Sequence, residues 1–161
     1  MRADAKYSNW QLFALVFLRI LIGWHFLYEG IANLMNPNWS AASFLLESKW
    51  IFAGIFKGIA GNPSVLSTVN VLNTWGLIFI GTGLILGCLT RTATSAGMAL
   101  ILLYYVCNPP FAGLYYAIPS EGNYLIVNKN LIEIAALFVL FLFPTGHIIG
   151  VDHFFYKIRS K

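Results

Sequence analysis

Apolar positions dominate four long blocks of this chain, and polar positions mark the joints between them. The blocks run from about Gln11 to Leu34, Val69 to Leu89, Thr92 to Cys107 and Val127 to Ile149. A helix needs about 20 apolar residues to cross roughly 30 Å of hydrocarbon. The third block is short and ends at Asn108-Pro109-Pro110, where proline cannot continue a helix. The pattern predicts an all-α, integral membrane four-helix bundle formed by one domain, residues 1–161.

Two connections break the simple pattern. Asn38 to Ala60, "NWSAASFLLESKWIFAGIFKGIA", mixes aromatic and aliphatic residues with scattered charges. It predicts one or two amphipathic helices in the membrane interface, with Trp39 and Trp50 at headgroup depth. Phe111 to Tyr124 is aromatic and turn-forming, broken by Pro119 and Gly122. A cap over the mouth of the bundle and loops resting on lipid both fit these compositions. Lys and Arg set the expected orientation. Arg2, Lys6, Arg91, Lys157, Arg159 and Lys161 lie on the side of the tails, against Lys49, Lys57 and Lys129 on the other. Both termini are therefore expected in the cytoplasm. The polar start "MRADAKYSNW" and the long block after it read as an uncleaved first span. In the second block, Gly76, Gly83 and Gly87 share a face, and Gly83-x-x-x-Gly87 predicts close helix packing. Thr82 could add a hydrogen bond across helices.

Composition agrees with the pattern. The chain is 58% hydrophobic and 10% charged, against roughly 25% charged in ordinary soluble domains. Mean hydropathy is +0.72. The formal charge of +4 then reports topology and contact with anionic lipid, and no nucleic-acid motif accompanies it. Cys88 and Cys107 form no CxxC and are expected at opposite ends of the membrane, so no disulfide between them is predicted.

Charges inside apolar blocks are costly, at least about 2.5 kcal/mol at a helix centre. The first block nevertheless carries Arg19, His25 and Glu29. His25 and Glu29 are four apart and share a helix face. Arg19 lies about 15 Å from Glu29 along the axis and needs another partner: a carbonyl, Thr82 or a bound anionic headgroup. The fourth block brings Lys129, Asn130 and Glu133, with Glu133 near the depth of His25. The third brings Tyr104, Tyr105 and Asn108 to the same half. These residues predict one polar cluster in which Glu29 and Lys129 pair, or His25 and Glu133 share a proton. Two carboxyls and an imidazole in low dielectric suit proton handling. Polar contacts that only fix helix register fit the same residues. His147 and His153 read as interfacial side chains. The histidines lie too far apart along the chain's spans for a bis-histidine haem, and no Cys/His metal spacing is present.

Several stretches carry a family resemblance: "LRILIGWHFLYEGIANL", "WGLIFIGTGLILGCLTRTA", "NPP", "PSEGNYLIVNKNLIEIAALFVLFLFP" and "IIGVD". In order along nearly the whole chain, they resemble the DoxX/DoxD membrane-protein family, and most closely the branch of the DoxD subunit of thiosulfate:quinone oxidoreductase. The resemblance implies a four-helix bundle in the bacterial cytoplasmic membrane and a link to quinone-coupled redox chemistry. Its conspicuous motif positions here are Arg19, Glu29, Gly30, Asn130 and Glu133. Asn33 departs from the lysine frequent in the family.

Two function classes follow. In the first, a redox-linked subunit, His25, Glu29 and Glu133 exchange the protons of a quinone headgroup. Tyr104 or Tyr105 would hydrogen-bond a quinone carbonyl. Arg19, Asn108, Lys129 and Asn130 complete the binding set, and electrons come from a partner subunit, since no haem, flavin or metal ligand set is visible. In the second, the chain is a non-enzymatic, lipid-binding accessory of a larger membrane complex. A transporter is disfavoured by the small lumen of four helices and the lack of an inverted repeat, although a homo-oligomer could enlarge it.

Overall fold

The computed structural model describes residues 7–117 and 125–154. Six helices follow in order: α1 Asn9–Met35, α2 Ala42–Leu46, α3 Ala53–Gly61, α4 Pro63–Leu86, α5 Thr90–Cys107 and α6 Lys129–Leu142. Among the described residues there is no β-sheet. Pro119 and Gly122, and the basic residues of both tails, lie outside them.

Local chemistry explains the helix ends. Ser8 and Gln11 form a reciprocal capping box at the start of α1. Asn62 caps α4 by accepting from Ser64 and Val65 N–H, and Pro63 occupies the first helical position. This pair starts α4 six residues before the expected Val69. Gly87 closes α4 in the left-handed region, with φ +64, and Cys88 N–H bonds back to the Gly83 carbonyl at 2.9 Å. Asn128 caps α6.

Two helices are long and apolar enough to cross a membrane, α1 and α4, each with mean hydropathy 1.6 over its apolar stretch. Only 22% and 28% of those stretches is buried inside the protein. Most of their apolar surface therefore faces outward, unlike the core helix of a soluble fold. Trp10, Phe13, Trp24 and Tyr28 on α1, and Leu72 and Phe79 on α4, belong to that face. The other two expected spans differ. α5 has 18 residues and α6 has 14. At 1.5 Å per residue, α6 is about 21 Å long, short of a bilayer core. It stops at Leu142, not near Ile149, because Pro144 excludes a helical residue before it. Residues 145–154 then return to the joint between α4 and α5.

α1 packs chiefly on α4, and α5 on α6 and α4. Phe26, Leu84, Leu137 and Leu140 are fully buried at the centre. Such side chains hold the helices together by close van der Waals packing. The α1–α4 approach is set by Gly23, Gly30 and Gly81. A Cβ on Gly81 would stand 2.5 Å from the Leu27 nitrogen and 2.6 Å from the Gly23 carbonyl. Of the expected stripe, Gly76 faces open space, Gly83 meets Ala93 of α5, and Gly87 both caps α4 and allows the close approach of Arg19 and Gly150. Thr82 takes no part in joining the helices; the contact is backbone on backbone.

Both long connections gather at one end. α2 and α3 form the two short helices expected in the first. Ser48 Oγ donates to the Cys107 carbonyl at 2.7 Å, and Asn108 Nδ2 to the Phe44 carbonyl at 3.0 Å. Trp50 meets Phe111 edge-on at 5.1 Å. Glu47 accepts from Ala117 N–H at 3.1 Å, which holds its carboxyl below the usual range. Burial pushes the Tyr116 hydroxyl up. The two connections thus cover the same mouth of the bundle.

Candidate functional site

Beneath that cover lies a cavity of about 410 Å³. Every helix except α3 lines it. α1 contributes His25, Phe26, Glu29 and Asn33; α6 contributes Lys129, Asn130 and Glu133. α4 adds Asn73 and Leu77, α5 adds Ile101 and Tyr104, and the segment around α2 adds Trp39, Ser40 and Phe44. The lining is largely apolar, with polar groups converging from different helices, the usual make-up of a small-molecule site.

The closest polar contact joins α1 to α6. His25 Nδ1 and Glu133 Oε1 are 2.8 Å apart. Helical periodicity places Glu133 on the inward face of α6, beside Leu137 and Leu140 of the same face. Glu133 is 8% exposed, and its second oxygen, Oε2, is buried without a hydrogen-bond partner. An unmet buried acceptor costs about 1–3 kcal/mol. At this distance the imidazole and the carboxyl share one hydrogen bond, the geometry that a proton transfer between them requires. Glu29 and Lys129 border the same cavity.

Tyr104 also reaches the cavity, but its hydroxyl proton is already committed. It donates to Asn73 Oδ1, with Phe44 packed edge-on against the phenol ring. Asn73 is the residue the sequence reading missed. Its place in a mixed stretch, "VNVLNTWG", carries no periodic signal that separates it from Asn70. Asn70 in fact turns to the cover, where Oδ1 accepts from Ala41 N–H at 2.9 Å.

Of the nine expected site residues, His25, Glu29, Tyr104, Lys129, Asn130 and Glu133 line the cavity. Three do not. Tyr105 is one position on from Tyr104, so it points about 100° away and donates to the Ile126 carbonyl at 2.9 Å. Asn108 has left the helix and holds α2 in place. Arg19 belongs to the opposite end. It is 2% exposed; Nη1 donates to Thr145 Oγ1 at 3.0 Å and Nη2 to the Ile149 carbonyl at 2.8 Å. The expected carbonyl partner is present, and Thr82 is not a partner.

Arg19 sits in a polar clasp that ties the C-terminal segment to the α4–α5 joint. Val151 and Asp152 N–H donate to the Leu86 and Gly87 carbonyls, each at 3.0 Å, and so close the end of α4. The Asp152 carboxylate accepts from Leu89 N–H at 2.7 Å, Thr90 N–H at 3.0 Å and Thr90 Oγ1 at 2.9 Å. It caps α5 from 62 positions away in sequence, where a carboxylate also meets the positive end of the helix dipole. It further holds Leu89 in its left-handed conformation, φ +48. Gly146 and Gly150 allow the close backbone approach: a Cβ on Gly150 would lie 2.8 Å from the Gly87 carbonyl. His147 and His153 lie exposed at the same end, with His153 Nδ1 2.9 Å from the His147 carbonyl.

No protein-family model, curated protein or solved structure matches this chain.

Proposed function

We propose that the chain is a multi-pass, DoxX/DoxD-like protein of a bacterial cytoplasmic membrane, and that its cavity binds the headgroup of a lipophilic quinone. In this reading the tails face the cytoplasm and the covered mouth faces outward. Reduction of a quinone takes two electrons and two protons to a hydroquinone. The His25–Glu133 pair and Glu29 supply or accept those protons, and a partner subunit supplies or accepts the electrons. The apolar outer faces of α1 and α4 support a lipid surround from which such a ligand would enter.

The observation that carries the reading is the His25–Glu133 contact at 2.8 Å on the wall of a mainly apolar cavity, with Glu133 Oε2 left unmet. Titratable pairs in a cleft are functional candidates on physical grounds.

The test is mass spectrometry of lipophiles extracted from gently purified wild type, Glu29→Gln and Glu133→Gln proteins. Near-stoichiometric quinone in the wild type and its loss from the folded variants is the expected result. Phospholipid alone in all three would overturn the quinone site and leave a lipid-binding accessory subunit.

A further inference from the structure

We infer that Asn73, oriented by Tyr104, is the hydrogen-bond donor that selects the oxidised ring in this cavity; the inference rests on the quinone reading above. A carboxamide has one acceptor oxygen and two N–H donors on its nitrogen. The Tyr104 hydroxyl donates to Asn73 Oδ1. That bond fixes which way round the amide stands and leaves its nitrogen as the free end. Among the described residues, no protein group accepts from Asn73 Nδ2, and Nδ2 is not among the buried atoms without a partner. Asn73 lines the cavity, so its donors are available to a ligand there.

The cavity then has two unlike walls. On one, Asn73 offers its N–H donors, while its oxygen already accepts from Tyr104. On the other, His25 and Glu133 share a hydrogen bond, and Glu29 borders the same space. A quinone oxygen is a carbonyl and only accepts. A hydroquinone oxygen carries its own proton and accepts more weakly. The amide N–H donors therefore favour the oxidised form, while a carboxyl elsewhere on the lining, Glu29, can serve the reduced form by accepting its O–H. Tyr104 acts as a positioning residue: without its hydroxyl the amide is free to turn over and present oxygen instead.

The test titrates a benzoquinone with a ten-carbon saturated tail, and its reduced hydroquinone, into the detergent-solubilised full chain, read by calorimetry. Asn73→Asp keeps the shape and the Tyr104 bond but replaces donors by an acceptor. It is expected to weaken quinone binding about tenfold, the effect of losing one hydrogen bond, and to leave hydroquinone binding unchanged or tighter. Asn73→Leu removes both functions and should give the quinone loss without the hydroquinone gain. Tyr104→Phe should narrow the oxidised-over-reduced preference, a ratio that a purely structural defect would not move. Quinone binding at wild-type strength in both Asn73 variants would overturn the donor assignment while leaving the quinone site standing. A wild-type chain that binds neither form would overturn the quinone site and this inference with it.

Discussion

Arg19 and His25 are six residues apart on α1, about 9 Å along the axis, yet they end in opposite surroundings. Arg19 is enclosed by backbone. Its guanidinium bonds Thr145 and Ile149, and Gly87 closes within contact distance of both terminal nitrogens. Every nearby charge is spent on joining chain segments, and Asp152 alone satisfies three donors. His25 faces a cavity, its carboxyl partner keeps an oxygen unmet, and further charged groups line the same space. Buried charge is costly in both places. In the clasp the cost is offset by caps that the fold needs. Each place also leaves one buried atom unmet, Arg19 Nε in the clasp and Glu133 Oε2 at the cavity; the difference within one helix is that the clasp is closed by backbone, whereas His25 and Glu133 border open space.

Substitutions should break the comparison in that order. Asp152→Ala removes three hydrogen bonds and the cap of α5, and should destabilise the chain by about 2–4 kcal/mol, measured by denaturant titration in detergent. Quinone binding should persist in the folded fraction, because the cavity lies at the other end. By contrast, Glu133→Gln should shift stability by less than about 1 kcal/mol, since an amide replaces a partly unmet carboxyl at equal volume. A loss as large as that of Asp152→Ala would place Glu133 with the clasp as a structural residue. The smallest effect concerns the cover. The Glu47 carboxyl is held low first by Ala117 N–H and then by Lys49. A depressed folded value means that its contribution is present above the ordinary carboxylate range and lost as pH falls through the folded value. Hydrogen exchange at the Ala117 amide should therefore gain little protection from Glu47 below that range. Protection that stays constant down to low pH, after correction for intrinsic rates, would show that the cover is held by the aromatic contacts alone.

Much of the cavity was legible because helical geometry is periodic. Four-residue spacing places His25 and Glu29 on one face, and counting depth along α1 and α6 brings Glu133 to His25, where it is found. The two short helices before α4 were legible from their amphipathic composition. Two local signals set helix ends that hydropathy alone does not show. Asn62-Pro63 marks the start of α4, and Pro144 marks the end of α6. Glycine spacing was a partial guide: Gly83 and Gly87 stand at close contacts and Gly76 does not, while Gly23, Gly30 and Gly81 bring α1 and α4 together.

By itself, then, the sequence determined helical content, two of its four expected spans as helices apolar enough to cross a membrane, and the matched depth of His25 and Glu133. These follow from short-range rules, since hydropathy, capping and the 3.6-residue turn act within a few residues of chain. Only the tertiary structure decided that Arg19 meets Thr145, 126 positions away, that Asp152 caps α5, and that Tyr104 turns to Asn73. Those contacts depend on how α1, α4 and α5 rotate about their own axes when backbone meets backbone at Gly81 and Gly87. A rotation of one residue, about 100°, would exchange Tyr104 for Tyr105, and no local pattern in the chain distinguishes the two.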